Sequence, residues 1–259
     1  MKWCQLINNE CVECAPPKRQ RYTADKMSLK DHIDSIIQAF DVQKYTHTRN
    51  SVSGAVTQLS PMIEHGLMAS QDWVEHLKQQ GTLAQSERFL MQVAWRDYFQ
   101  QRWAESPERI WDDVGEYKTG WVASDYADSM PEDIRCAQTP STLINQIIEQ
   151  LLNTGWIHNH ARLYLAAYVV HFRRIRWQVG ARWMLSHLVD GNLGSNNFSW
   201  QWVASCGSNK PYIFNLENAQ KFAGDVYNTS TEDNPELVGT YEMLSERLFP
   251  NLPAQGDRI

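Results

Sequence analysis

Residues 190–202, DGNLGSNNFSWQW, set one carboxylate, two glycines, three asparagines and two tryptophans within thirteen positions. Asparagine offers a donor and an acceptor on one short arm, glycine lets backbone approach a ligand closely, and indole stacks on a flat ring or relays an electron. A planar heterocycle with polar edges fits this inventory better than a metal ion or a sugar phosphate. The pattern suits neither an amphipathic helix nor a half-buried strand, so a ligand-holding segment is expected. A second set of groups lies upstream, where residues 154–162 read TGWIHNHAR. A third, Cys4, Cys11 and Cys14, has the spacing C-x6-C-x2-C. Three thiols lack the fourth ligand of a structural zinc site, so these are read as incidental thiols on an arm and no metal is expected.

Helices must position these groups. Ser28-x-x-Asp31 reads as a helix start ahead of Ile33, Ile36, Ile37 and Phe40 at helical spacing. Apolar residues recurring every three or four positions predict further helices at about 72–80, 86–104, 142–153, 158–177 and 180–188. Alternating strands are absent from the pattern, and glycine and proline fall between the periodic segments, so the expected class is all-α. Residues 1–27, with Pro16-Pro17 and the basic Lys18, Arg19 and Arg21, read as an irregular arm, and residues 28–259 as one helical domain.

At 259 residues and 42% hydrophobic content the chain is long enough for a sizeable core. No apolar run follows a basic start, and no stretch approaches the roughly 18 apolar residues of a membrane span, so a soluble, cytoplasmic protein is expected. Five cysteines at irregular spacing argue for reduced thiols over a disulfide scaffold. A formal charge of −6 argues against blanket attraction to nucleic acid. The charge is nonetheless segregated. Residues 159–182 carry His160, Arg162, His171, Arg173, Arg174, Arg176 and Arg182 with no acid, whereas 225–246 is acid-rich. That stretch is either a phosphate-facing surface or a plain solvated face.

The order TGW-x-HN-x-x-R, a tryptophan, then DG-x-L-x-x-NN-x-x-WQW resembles the flavin-binding domain of the DNA photolyase and cryptochrome family. Tyr45 with Arg49 resembles its Y-x-x-x-R, residues 57–61 (TQLSP) its phosphate loop TSRLSP, and residues 95–98 its WR-[DE]-[FY]. These motifs follow family order over residues 45–222. The family's amino-terminal α/β antenna domain has no counterpart in the 44 residues before Tyr45.

The resemblance implies FAD folded in a U inside a helical domain. Thr57 and Ser60, with the backbone of Gln58 and Leu59, would hold the pyrophosphate, Gln58 standing where the family usually has arginine. Tyr45 and Phe89 would contact the cofactor, Gly191 and Asn192 would bring backbone to the ring, and Arg162 with Asp190 would tune its N1-to-C4 edge. Asn196 would face flavin N5, where light-sensing members often carry Asp or Cys. Trp200 and Trp177 match the first two members of the electron relay, and Trp121 is a candidate for the third. For substrate, Trp95 and Trp202 would wall a pocket for a flipped pyrimidine dimer, with Asn159, His160 and Gln92 lining it and Arg49 and Arg96 on phosphates. Asn159 stands where (6-4) enzymes carry a catalytic histidine. Two departures bear on activity: Gln92 replaces a pocket glutamate, and Leu163 a methionine. The implied function is light-driven repair of cyclobutane dimers in DNA, with single strands a reasonable preferred substrate because extrusion costs less there. Its rivals are a cryptochrome-like photoreceptor without repair activity and a subunit that pairs with a separate antenna protein. The resemblance leaves oligomeric state open.

Overall fold

A computed structural model of the chain describes residues 28–252. The arm at 1–27, with its three cysteines, lies outside the described residues. Twelve α-helices follow in order: α1 Leu29–Ala39, α2 Val42–Thr48, α3 Ser60–Glu64, α4 Ser70–Gln79, α5 Glu87–Glu105, α6 Glu132–Arg135, α7 Thr142–Thr154, α8 Asn159–Ala167, α9 Trp177–His187, α10 Leu193–Ala204, α11 Leu216–Ala223 and α12 Tyr241–Leu248. Among the described residues there is no sheet, only an isolated bridge between Ala127 and Ile175. The fold is all-α. No described helix is long and apolar enough to cross a membrane.

Local signals account for several boundaries. Ser28 accepts from Asp31 N–H while the Asp31 carboxylate accepts from Ser28 N–H, the reciprocal box expected at the start of α1. α7 starts at Ser141 and is braced by buried Asn234, whose Oδ1 accepts from the Ser141 hydroxyl and from Leu143 N–H. It stops at Gly155, at φ 71°, where a Cβ would meet the Val189 side chain at 2.5 Å. Only glycine suits this position, and it lets Val189 N–H donate to the Gly155 carbonyl at 2.9 Å. That bond fixes the loop carrying Asp190 beside the TGW turn.

Two sequence expectations are corrected. Residues 158–177 do not form one helix: α8 gives way to a π-helical turn at Tyr168–Phe172, and the chain reverses through Arg174 at φ 47° before α9 begins at Trp177. The apolar spacing runs on through the break and so conceals it. The ligand-holding segment, in turn, is helical from Leu193 onward. α10 shows no apolar stripe because it is enclosed nearly all round, with Gly194, Asn196, Asn197, Trp200, Gln201, Val203 and Ala204 buried against α5, α8 and α9. Its buried amides are satisfied across the packing. Asn197 Nδ2 donates to the Ile110 carbonyl, and Gln201 Oε1 accepts from Val114 N–H.

Two apolar clusters flank the site. The larger joins α7 to α11; the smaller packs Phe40, Tyr45, Trp73 and Phe89 edge to face between α1, α2, α4 and α5.

Candidate functional site

Between the two clusters lies a cleft of about 550 Å³, walled by Tyr45 and Phe89 on one side and by Ala166, Met184 and Val203 on the other. That volume lies within the range of small-molecule and cofactor sites. On its floor Asp190, whose side chain is 2% exposed, takes both oxygens' bonds from Arg162 Nη2 at 2.8 and 2.9 Å. Arg162 Nε donates to the Ile157 carbonyl, so the guanidinium also ties down the turn after α7. The Ser60 hydroxyl donates to Asp190 Oδ2 at 2.6 Å. Its one proton is thereby committed to the carboxylate, away from the phosphate role expected for it.

Asn196 is oriented by two acceptors: its Nδ2 donates to the Ala181 carbonyl and to Asn197 Oδ1. Both of these require the amide nitrogen, so the oxygen is left to accept on the cleft side. An amide able either to accept or to donate at this point was expected, and the packing leaves only the first. Beside it Trp200 lies with its ring on Gly180, one turn beyond Trp177 on α9, and a Cβ at Gly180 would meet Trp200 at 2.4 Å. The absent side chain is what brings Trp200 onto the α9 face that carries Trp177. Trp177 is fully buried.

Thr57, Gln58, Arg49, Gln92, Arg96, Asn159, His160 and Asn192 also line the cleft. Gln92 and Asn159 are exposed at its mouth, whereas Asp190, Asn196 and Trp200 are buried. Of the expected site residues, Trp177 and four others do not line it. The Leu59 side chain is buried in the smaller cluster, and Gly191 packs on the end of α9. Trp95 stands half exposed against Tyr98 and Phe99, and half-exposed Trp202 borders a separate cavity of about 290 Å³ with Lys210, Tyr212 and Tyr241. Arg96 is ion-paired with Glu64, which also accepts from Asn192 Nδ2, so its charge is already partnered. Trp121 belongs to the cluster around Leu244 and Phe249, its indole N–H donating to the Leu248 carbonyl. The residue that stacks on Trp177 is Trp111, at 6.2 Å and 13°. Sequence reading missed Trp111, and it missed Ser195, whose buried hydroxyl lines the cleft with no partner.

His158 caps α8, its Nδ1 accepting from His160 N–H, and burial pushes its pKa down to about 4, with His160 and Arg162 adding to the effect. Fully buried His171, which donates from Nε2 to the Val203 carbonyl, is likewise pushed down to about 4 by desolvation. Both are neutral in the folded protein near pH 7, whereas the unfolded chain takes up their protons from pH 6.5 downward. Their contribution is complete above pH 6.5 and is lost as pH falls towards 4. Urea unfolding at pH 7 and pH 5 is expected to show a loss of about 2 kcal/mol per histidine at the lower pH; equal stabilities would refute the assignment.

An all-helical domain built round a buried Arg–Asp pair, an oriented amide and stacked tryptophans is of the class that holds a large aromatic cofactor. Comparison with known proteins makes that specific. The profile of the FAD binding domain of DNA photolyase matches residues 89–230. A deoxyribodipyrimidine photo-lyase of Streptomyces griseus is 34% identical over 154 residues, covering 60% of this chain and 33% of its own length. Cryptochrome DASH of Vibrio parahaemolyticus is 28% identical over 181 residues, covering 67% of this chain and 40% of its own. A bacterial class III photolyase from Agrobacterium tumefaciens shares the fold with a TM-score of 0.64 at 22% identity, over 85% of this chain and 44% of that one. The chain belongs to the family of DNA photolyase FAD-binding domains. It spans about two fifths or less of the length of these two curated relatives.

FAD is the cofactor of this domain. The cleft fits such a group in its own chemistry: the partnerless Ser195 hydroxyl, the free oxygen of Asn196 and the Asp190–Arg162 pair are the groups a polar-edged ring would satisfy.

Proposed function

We propose that this protein uses light to repair cyclobutane pyrimidine dimers in DNA. The observation that carries the reading is Asn196, held by two carbonyl-type oxygens as an acceptor in the cleft wall beside Trp200. An acceptor there favours a protonated N5, the form a reduced ring presents. FAD in its reduced state supplies, when bound, the light-driven electron that opens the dimer. Arg162 would place a fixed positive charge beside the ring, and Asp190 holds that charge in position while accepting a hydrogen bond from the Ser60 hydroxyl.

The pyrophosphate role falls to the Thr57 hydroxyl and the backbone of residues 58–60. Leu59 N–H already donates to Thr57 Oγ1 at 3.4 Å, which leaves the Thr57 hydroxyl proton and the N–H groups of Gln58 and Ser60 to meet an anion. At the mouth, Asn159 and Gln92 present amides to an extruded base, and His160 is anchored through Nδ1 on the Asn50 carbonyl. Gln92 hydrogen-bonds without carrying charge, so it anchors the lesion but donates no carboxyl proton. Arg49, half-buried on the cleft wall, is the one of the three cleft-lining arginines without an ion pair among the described residues and would meet a backbone phosphate.

A second reading, a cryptochrome-like photoreceptor, draws on a specific observation: Trp95 and Trp202, the two expected pocket walls, do not line the cleft. A spectrum of purified protein and a dimer-repair assay separate the two. Flavin bands followed by loss of dimers from single-stranded DNA under blue light with a reductant are the expected result. Flavin without repair would refute the enzyme and favour the photoreceptor, and a protein without flavin would sink both.

A further inference from the structure

Trp177 carries a second interaction at its indole nitrogen. Asp113 Oδ1 accepts from Trp177 Nε1 at 2.6 Å, from Gln178 Nε2 at 3.1 Å and from the Tyr117 hydroxyl at 3.2 Å. One carboxylate oxygen therefore bridges a fully buried tryptophan and a half-buried tyrosine. The Tyr117 ring stacks on buried Tyr126 at 5.0 Å and 27°. A different neighbour, Trp111, covers the face of Trp177, and Arg182 sits 4.2 Å over the Trp111 ring.

These are two exits for positive charge arriving at Trp177, and electrostatics separates them. An electron taken from Trp111 leaves a cation on a ring already facing a guanidinium, and like charges at that separation repel. No hydrogen bond from the Trp111 indole N–H to a described residue relieves it. An electron taken from Tyr117 must be accompanied by its phenolic proton, and a carboxylate oxygen stands ready to receive it. Burial, reinforced by Asp113, holds the Tyr117 pKa well above its ordinary value, so the phenol keeps its proton until oxidation drives it off.

We propose that Tyr117 is the terminal electron donor of the relay and that Asp113 is its proton acceptor. The proposal rests on the reading that Trp200 and Trp177 serve FAD in the cleft. The oxidant is oxidised flavin under light, which takes one electron from Trp200. Trp177 refills Trp200, and Tyr117 refills Trp177 while its Oη proton passes to Asp113 Oδ1. Both tryptophans return to their starting state. Tyr117 ends one electron and one proton poorer, Asp113 is protonated, and the flavin is one electron richer.

The test is flash photolysis of the full chain carrying oxidised FAD, following radical absorption in water and in deuterium oxide. In the wild type a tryptophanyl signal is expected to convert to a tyrosyl signal, more slowly in deuterium oxide. Tyr117→Phe, which keeps the ring on Tyr126, should abolish the tyrosyl signal and shorten the life of the separated charge. Asp113→Asn keeps an oxygen for Trp177 but loses the proton acceptor, and should slow tyrosyl formation by about 100-fold or more. Trp111→Phe should change neither signal. A tyrosyl signal that survives Tyr117→Phe, or a long-lived charge that vanishes in Trp111→Phe, would overturn the proposal. Protein that binds FAD and photoreduces without any tyrosyl signal overturns this inference alone. Protein that takes up no FAD overturns the proposed function with it.

Discussion

Arg162→Met is expected to destabilise the domain by about 3–5 kcal/mol, the usual cost of stranding one partner of a buried ion pair. Asp190 is almost completely enclosed, and without the guanidinium it retains only the hydrogen bond from the Ser60 hydroxyl. The same change frees the Ile157 carbonyl and loosens the turn that carries His158 and Asn159. Urea unfolding gives the free energy, and flavin absorbance after purification gives the cofactor content, expected to be lost. The double variant Arg162→Met with Asp190→Asn separates stranded charge from lost packing. Removing the charge along with its partner should restore stability to within about 2 kcal/mol of wild type, because replacing both members of a buried pair is often close to neutral. A double variant as unstable as the single one would mean that the pair is not the source of the loss. Flavin binding should stay impaired in the double variant, since the ring edge proposed to meet this pair would then lose both fixed charges.

Gly180→Ala should reverse the usual effect of this substitution. At an exposed helix position, alanine in place of glycine stabilises by about 1 kcal/mol. In α9 the new methyl would come within 2.4 Å of the Trp200 ring and 3.0 Å of Val169. Both neighbours are buried, so neither moves freely, and overpacking of this kind costs about 1–3 kcal/mol. The strain is therefore expected to offset or exceed the propensity gain, with a net loss of up to about 2 kcal/mol in thermal or urea unfolding. Trp200 is the element that yields, turning away from Trp177. Flavin photoreduction should accordingly fall by far more than stability does, with flavin content retained. A variant more stable than wild type would show that Trp200 does not press on α9. Unchanged photoreduction would show that electrons reach the cleft by another route.

Much of the site is legible in the chain because its chemistry is written in residue types. Asp190, Asn196 and Trp200 lie within eleven positions, and a cleft requires polar groups, a close backbone and flat rings whatever the fold around it. Arg162 is legible through its own motif. Helix starts that rest on local bonds, such as Ser28 with Asp31, can be read the same way, since both partners lie within one turn. The helicity of residues 193–204 cannot. An enclosed helix needs no apolar stripe, and the partners that satisfy its amides, the Ile110 carbonyl and Val114 N–H, are each 87 residues away. The break between α8 and α9 is hidden for a related reason: a π-helical turn leaves the apolar spacing almost undisturbed while a single left-handed residue redirects the chain.

The sequence by itself determined that the domain is helical and, through the resemblance of its motifs to a known family, that a flavin is its cofactor. Tertiary structure decided what each group is still free to do. Ser60 has spent its proton on Asp190, Arg96 its charge on Glu64, and Asn196 its amide nitrogen on Ala181 and Asn197. Asp113 meets Trp177 from 64 residues away along the chain. A side chain's type fixes its full hydrogen-bonding capacity, but packing consumes part of that capacity with partners that sequence order does not reveal. The remainder is what a cofactor or substrate meets.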